Sequence, residues 1–158
     1  GAELLLSYYL ALLAEVYGEM GQAEEGLAVL TEALAVADKG GERFYEAELY
    51  RLKGELTLKQ FNVQRSTFKV PNTQHPTPST QAEAEAEACF LKAIDIAQKQ
   101  QGKSLELRAV MSLARLWQKQ DKKKEAHKML SNLYGWFTEG FDTKDLQEAK
   151  VLLAELEK

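Results

Sequence analysis

Few residues in this chain have the types and spacing that chemistry needs. The metal-ligand and nucleophile candidates are His75, Cys89 and His127, scattered rather than clustered at the short intervals of a zinc site. Carboxylates stand four apart in Glu15/Glu19 and Glu83/Glu87. That spacing puts them on one helix face, where general acid–base work is conceivable, but in so Glu-rich a chain it also describes an ordinary solvated face. The ten glycines never fall into a GxGxxG or GxxxxGKS/T pattern, so no phosphate cradle is encoded. No strand–turn–helix setting exists for a serine nucleophile. Cys89 beside Phe90 reads as a small buried hydrophobe. The basic run Lys119, Lys122, Lys123, Lys124 and Lys128 straddles a turn, lacks interleaved aromatics, and in Lys119 complements a helix C-terminus. These residues predict no catalytic site, no cofactor, no metal and no nucleic-acid partner.

Composition sets wider bounds. The 158 residues make one domain, large enough to bury a core without disulfide or metal. Hydrophobic residues are 45% and charged residues 28%, a globular balance, and the net charge of -4 offers no global attraction to nucleic acid or anionic lipid. The lone Cys89 fits a reducing, cytoplasmic compartment. The first twenty residues are Leu-rich but interrupted by Glu3, Glu15 and Glu19 with no basic region ahead of them, which predicts neither a signal peptide nor a membrane span. The opening Gly1-Ala2-Glu3, already in helical pattern and without an initiator Met, suggests a piece excised from a longer protein.

The elements that must position these residues are helical throughout. Apolar residues recur at helical spacing over 3–20, 22–39, 42–60, 80–101, 104–120, 122–137 and 143–157, in segments dominated by Ala, Leu, Glu, Lys and Gln. Gly21, Gly40-Gly41 and Gly102 stand where left-handed caps end helices, and Ser104, Asp121 and Thr143 where side-chain oxygens start them. Pro71, Pro76 and Pro78 all fall in 61–81, a Ser/Thr/Asn/Gln-rich stretch with no apolar period, read as a mobile insertion. A strand pair through Phe61-Val63 and Phe68-Val70 is the alternative.

Internal repetition decides the fold class. Ala14, Gly54 and Ala114 are small residues in mid-helix, preceded by Leu10, Tyr50 and Val110 and followed by Tyr17, Thr57 and Trp117. In the partner helices the series Gly26-Leu30-Ala33, Ala86-Phe90-Ala93 and Ala126-Leu130-Leu133 recurs, and the step between copies is 40 residues once 20 inserted residues are removed. Small residues let antiparallel helices approach where a bulky knob, here Tyr17, Phe90 or Trp117, fills the space. The expected architecture is an all-α, right-handed superhelical solenoid: hairpins over about 3–40, 42–101 and 104–137, closed by a cap helix over 143–157. Trp136, Phe137 and Phe141 are expected to pack that cap onto the last hairpin.

Leu10-Leu13-Ala14-Tyr17 with Gly26-Leu30-Ala33, and Val110-Leu113-Ala114-Trp117 with Ala126-Leu130, resemble the tetratricopeptide repeat (TPR). The middle copy departs from it in Lys53 and Thr57, no copy has the closing Pro, and the step exceeds the family's usual length, which is similar to the extended helical repeats of large bacterial regulators of the maltose-activator type. The stretch GERFYEAELYRLKGEL, the helix from Ala88-Cys89-Phe90 to Gln101 with KSLELRAVMSLARLW after it, and the tail YGWFTEGFDTKDLQEAKVLLAEL are similar to the C-terminal repeats of bacterial, often cyanobacterial, multidomain signalling proteins in which a nucleotide cyclase, kinase or DNA-binding domain is followed by a signal-transduction NTPase. The resemblance implies a non-catalytic interaction module whose first helices line a concave groove. The groove positions would be Tyr8, Glu15 and Glu19, then Glu48, Arg51, Glu55 and Lys59, then Arg108, Met111, Arg115 and Lys119, running from acidic to basic. The expected partner is a peptide or neighbouring domain, including domains of the parent chain; an oligomerisation scaffold and a small-ligand sensor are the alternatives.

Overall fold

The computed structural model describes residues 2–40, 43–67 and 78–158, and among them there is no strand. Seven helices follow one another: α1 Ala2–Glu19, α2 Ala23–Gly40, α3 Glu46–Thr67, α4 Pro78–Lys99, α5 Lys103–Lys119, α6 Lys123–Tyr134 and α7 Lys144–Leu156. They pair as antiparallel neighbours, α1 with α2, α3 with α4 and α5 with α6, and each pair packs on the next. The odd-numbered helices also touch in series, α1 to α3, α3 to α5 and α5 to α7, whereas α2, α4 and α6 do not touch one another.

The same turn joins α1 to α2, α4 to α5 and α5 to α6. In each, an amide closes back five residues, Gln22 to Tyr17, Gly102 to Ala97 and Lys122 to Trp117, at 2.8, 2.9 and 2.8 Å. This leaves one residue in left-handed backbone: Gly21 (φ 77°), Gln101 (φ 56°) and Asp121 (φ 61°). Two cap assignments are corrected and a third is not tested. Gln101, not Gly102, takes the left-handed position; Gly40 ends α2 in helical form; and Gly41 lies outside the described residues. Nor does any side-chain oxygen cap α5, α6 or α7: Gly102 and Lys122 precede α5 and α6, and the Thr143 hydroxyl donates to the Gly140 carbonyl instead. Left-handed backbone costs a non-glycine residue about 1 kcal/mol. Gln101→Gly is therefore expected to stabilise the chain by about 1 kcal/mol in urea unfolding, and Gly102→Ala, at a negative φ, to bring no such gain.

The described residues of the insertion, 61–67 and 78–81, are helical. At the register of the first hairpin α3 would stop near 59 and α4 would start near 83, so α3 runs about eight residues and α4 about five beyond that register. Phe61–Val63 is thereby helical, not loop or strand, while Phe68–Val70 and the rest of 68–77 lie outside the described residues. Extending an existing helix adds a hydrogen bond for each residue fixed, which a polar sequence such as 60–67 can use without an apolar period of its own. The extension of α3 stands across a small crevice from the α1–α2 turn, with Gln60 and Val63 facing Gly21 and Glu24.

The repeat positions are core positions. Ala14, Ala114, Leu30, Ala33, Ala86, Phe90, Ala93, Ala126 and Leu130 are all fully buried. Phe90 lies on Gly54, where an added Cβ would fall 2.5 Å from its ring. A second knob, Leu56, is missing from the repeat signature: it fills a notch between Gly18 and Gly26 and joins α3 to the first hairpin. Trp117 packs between α4 and α6, and its indole N–H donates to Glu87 Oε1 at 3.1 Å. The apolar core falls into three clusters, one within α1–α3, one across α4 and α5, and one among α5, α6 and α7. In α7, Leu146, Ala149, Leu152 and Leu156 face inward as expected of a cap. Phe137 joins that cluster, but Trp136 and Phe141 are exposed, Trp136 under the Lys103 ammonium, 5.4 Å from its ring centre.

Candidate partner-binding groove

The layer formed by α1, α3, α5 and α7 carries the positions singled out in the sequence, and the structure separates them into three groups. The first is a buried ion cluster. One turn of α3 sets Arg51 against Glu48, with Nε 2.9 Å from Oε2 and Nη2 2.7 Å from Oε1. Arg108 of α5 brings Nη1 to 2.7 Å from the same Oε1. Arg51 Nη1 also donates to Ser112 Oγ at 3.4 Å and lies 3.9 Å from Glu55, while Arg108 Nε lies 3.8 Å from Asp145 of α7. Burial by itself works to discharge the Arg51 guanidinium, but the hydrogen bonds and charge of Glu48, backed by Glu55 and Glu15, outweigh it and raise its pKa.

Two groove assignments are corrected here. Glu48 is buried beneath the two arginines, and Met111 is buried in the core among α5, α6 and α7. Both lie on helices covered from several sides, since α5 packs on α3, α4, α6 and α7 at once.

The second group lines an open groove of about 610 Å³ between α3, α5 and α7. Glu55, Arg115 and Lys119 contribute from the expected set. The floor is apolar, built by Leu58, Leu116 and Leu152. The far wall is α7, with Lys144, Glu148, Val151 and Glu155. Arg115 Nη2 and Lys144 Nζ meet Glu148 at 3.5 and 3.8 Å. The α7 wall is missing from the expected groove positions, all of which lie on α1, α3 and α5. Its signal is the spacing of Lys144, Glu148, Val151 and Glu155, one stripe of a helix. The wall also overturns the acidic-to-basic gradient: Asp145 and Glu148 stand opposite Arg108 and Arg115, so both signs meet at the end expected to be basic.

The third group lies towards α1. Tyr8 stacks on Tyr45 with ring centres 5.4 Å apart, and with Glu15 it borders a crevice of about 80 Å³ reaching Glu48 and Arg108. Glu19 and Lys59 are exposed and border neither cavity.

The remaining chemistry-bearing residues serve packing. Glu83 and Glu87 are not solvated faces: they accept hydrogen bonds from Gln120 and Trp117 and tie α4 to α5. Cys89 is half-buried, and burial raises its thiol pKa, which keeps the sulfur protonated and unreactive. His127 pairs with Glu157 at 3.3 Å, and His75 lies outside the described residues. Among the described residues no three His, Cys, Asp or Glu side chains converge as metal ligands would, and no helix is long and apolar enough to cross a membrane. What the groove offers is an apolar floor between walls of mixed charge, a shape that holds side chains of a bound segment. No protein-family model matches the chain, and no curated protein matches it either.

Proposed function

We propose that the chain is a non-catalytic interaction module, a superhelical stack of TPR-like hairpins that captures a peptide or neighbouring domain in the groove between α3, α5 and α7. The observation that carries this is the groove itself: an apolar floor of Leu58, Leu116 and Leu152, open to solvent and rimmed by both signs of charge. An amphipathic helix or extended segment with apolar anchors between acidic and basic residues fits those walls. The serial contact of the odd-numbered helices, with the even-numbered ones apart, supports the stacked reading. The resemblance of 41–56, 88–101, 103–117 and 134–156 to signalling-protein repeats supports a place in a larger bacterial regulator, cytoplasmic and linked to a cyclase, kinase or NTPase domain.

The test selects binding peptides from a random library and measures them against surface variants of the groove. Arg115→Glu and Val151→Glu are each expected to weaken binding at least about tenfold, with melting temperatures within about 2 °C of the parent. Arg108 is unsuitable for this purpose because it holds Glu48. Selected peptides that bind both variants as tightly as the parent would place the binding surface elsewhere.

A further inference from the structure

Helix α1 is apolar on both sides. One face, Ser7, Ala11, Ala14 and Gly18, is buried against the fold. The opposite face presents Leu5, Leu6, Tyr9, Leu12, Leu13, Val16 and Met20, all exposed, with Tyr9 62% and Val16 48% accessible. A helix that is hydrophobic all round belongs in an interior.

The repeat register shows what the outer face is for. Tyr9, Leu12 and Val16 correspond to Leu49, Leu52 and Leu56 of α3, 40 residues on, and to Ala109, Ser112 and Leu116 of α5, a further 60 on. Every one of those counterparts is buried: Leu49 is 0% and Leu56 2% accessible. The α3 residues pack backwards onto α1 and α2, where Leu56 fills the Gly18/Gly26 notch; Leu116 packs backwards onto Ala86 and Phe90 of α4. The outer face of α1 continues an interface that the molecule already builds twice.

We infer that this face seats one more helix hairpin of the same repeat type, supplied by the same polypeptide ahead of α1. Such a hairpin offers Gly or Ala on both helices, as Gly18 and Gly26 do, and Val16 enters its notch as Leu56 enters theirs. A second copy of the chain fits poorly. Its own notch is filled by Leu56, and the flanks of α1 carry Glu15 and Glu19 with no Lys or Arg anywhere on the helix, so two α1 faces laid together gather carboxylates without a cation. The far end offers no match, because Val151 is the one large apolar side chain that α7 exposes, and it lies in the groove wall.

This inference concerns a different surface from the groove and stands or falls separately. Its test is an extended chain in which a copy of residues 2–45 takes the place of residues 1–5 and runs directly into Leu6, so that the connection carrying α2 into α3 now carries it into α1 at the same 40-residue step. Hydrogen exchange of the original α1 amides is expected to slow at least about tenfold, with a melting temperature raised by about 5 °C. Val16→Glu should cancel both gains in the extended chain and leave the melting temperature of the original chain unchanged. Exchange of α1 that does not slow overturns the inference. If the extended chain fails to fold, the original chain decides: a discrete dimer in sedimentation, lost on Val16→Glu, makes a second copy the occupant, and a melting temperature lowered by Val16→Glu shows the face to be covered already. Either result overturns the proposal, whereas a monomer whose α1 amides exchange faster than those of Leu49–Leu56 is the expected result.

Discussion

Gly54→Ala is expected to destabilise the chain by about 2 kcal/mol, although helix propensity alone favours Ala over Gly by about 1 kcal/mol. The added Cβ would lie 2.5, 2.9 and 3.0 Å from three atoms of the Phe90 ring. That ring is fully buried, with Ala86, Leu113 and Leu116 in the same cluster. A flexible side-chain end could swing aside, but a flat ring in such a site moves only if α3 and α4 separate. The overlap therefore outweighs the propensity gain. Phe90→Ala, which empties the same place, is expected to cost about 4 kcal/mol. The two sites are coupled, so Gly54→Ala combined with Phe90→Leu should lose clearly less than the two single losses added together. Urea unfolding of the parent, Gly54→Ala, Phe90→Leu and the double variant measures this. Additive losses would show that the ring and the glycine do not define the approach of the two helices.

Glu48→Ala is expected to cost about 3 kcal/mol and to be the most damaging single change among the charged residues. The carboxylate holds two guanidinium groups, and its loss leaves Arg51, its side chain 11% accessible, with Glu55 at 3.9 Å, the Ser112 hydroxyl and the charge of Glu15. A buried pair replaced as a unit by apolar side chains is far less costly than a buried charge left alone. Glu48→Met with Arg51→Met should therefore be more stable than Glu48→Ala, by about 1 to 2 kcal/mol. Thermal unfolding at neutral pH and at 0.5 M salt checks the assignment, since a cluster this enclosed should lose little to screening. A salt-sensitive loss of under about 0.5 kcal/mol would mark the cluster as an ordinary surface pair.

The hairpins were legible in the chain because their determinants are local. The small residues at 14, 54, 86, 114 and 126 repeat at one spacing once the insertion is removed and are all buried, as are Leu30, Phe90, Val110 and Leu130 among their large neighbours, whereas Leu10, Tyr17, Tyr50 and Trp117 are half-buried. Turn chemistry was legible only in part. Gly21 declared its left-handed position, but Gln101 and Asp121 take the same geometry because the flanking helices impose it, overriding residue preference. The groove was harder to read because it is made by contacts distant in sequence. Exposure on α5 cannot be judged until α6 and α7 are packed against it, which buries Met111, brings Glu148 to Arg115 and gives the groove its far wall. Glu48 and Arg108 lie 60 residues apart, and no local pattern announces that they meet. Leu56 is a similar case: nothing in its own helix shows that Gly18 and Gly26 leave room for it.

The divided core bears on how the chain comes apart. The clusters on either side of α5 share Ile94, Trp117 and Met129 as common neighbours, but neither shares a residue with the cluster of α1–α3. The joint between the two blocks runs through the α3–α4 pair, where Phe90 meets Gly54. Under a pulling force or rising denaturant the molecule should part there like a two-link chain, the amino-terminal link opening while the carboxy-terminal link stays shut.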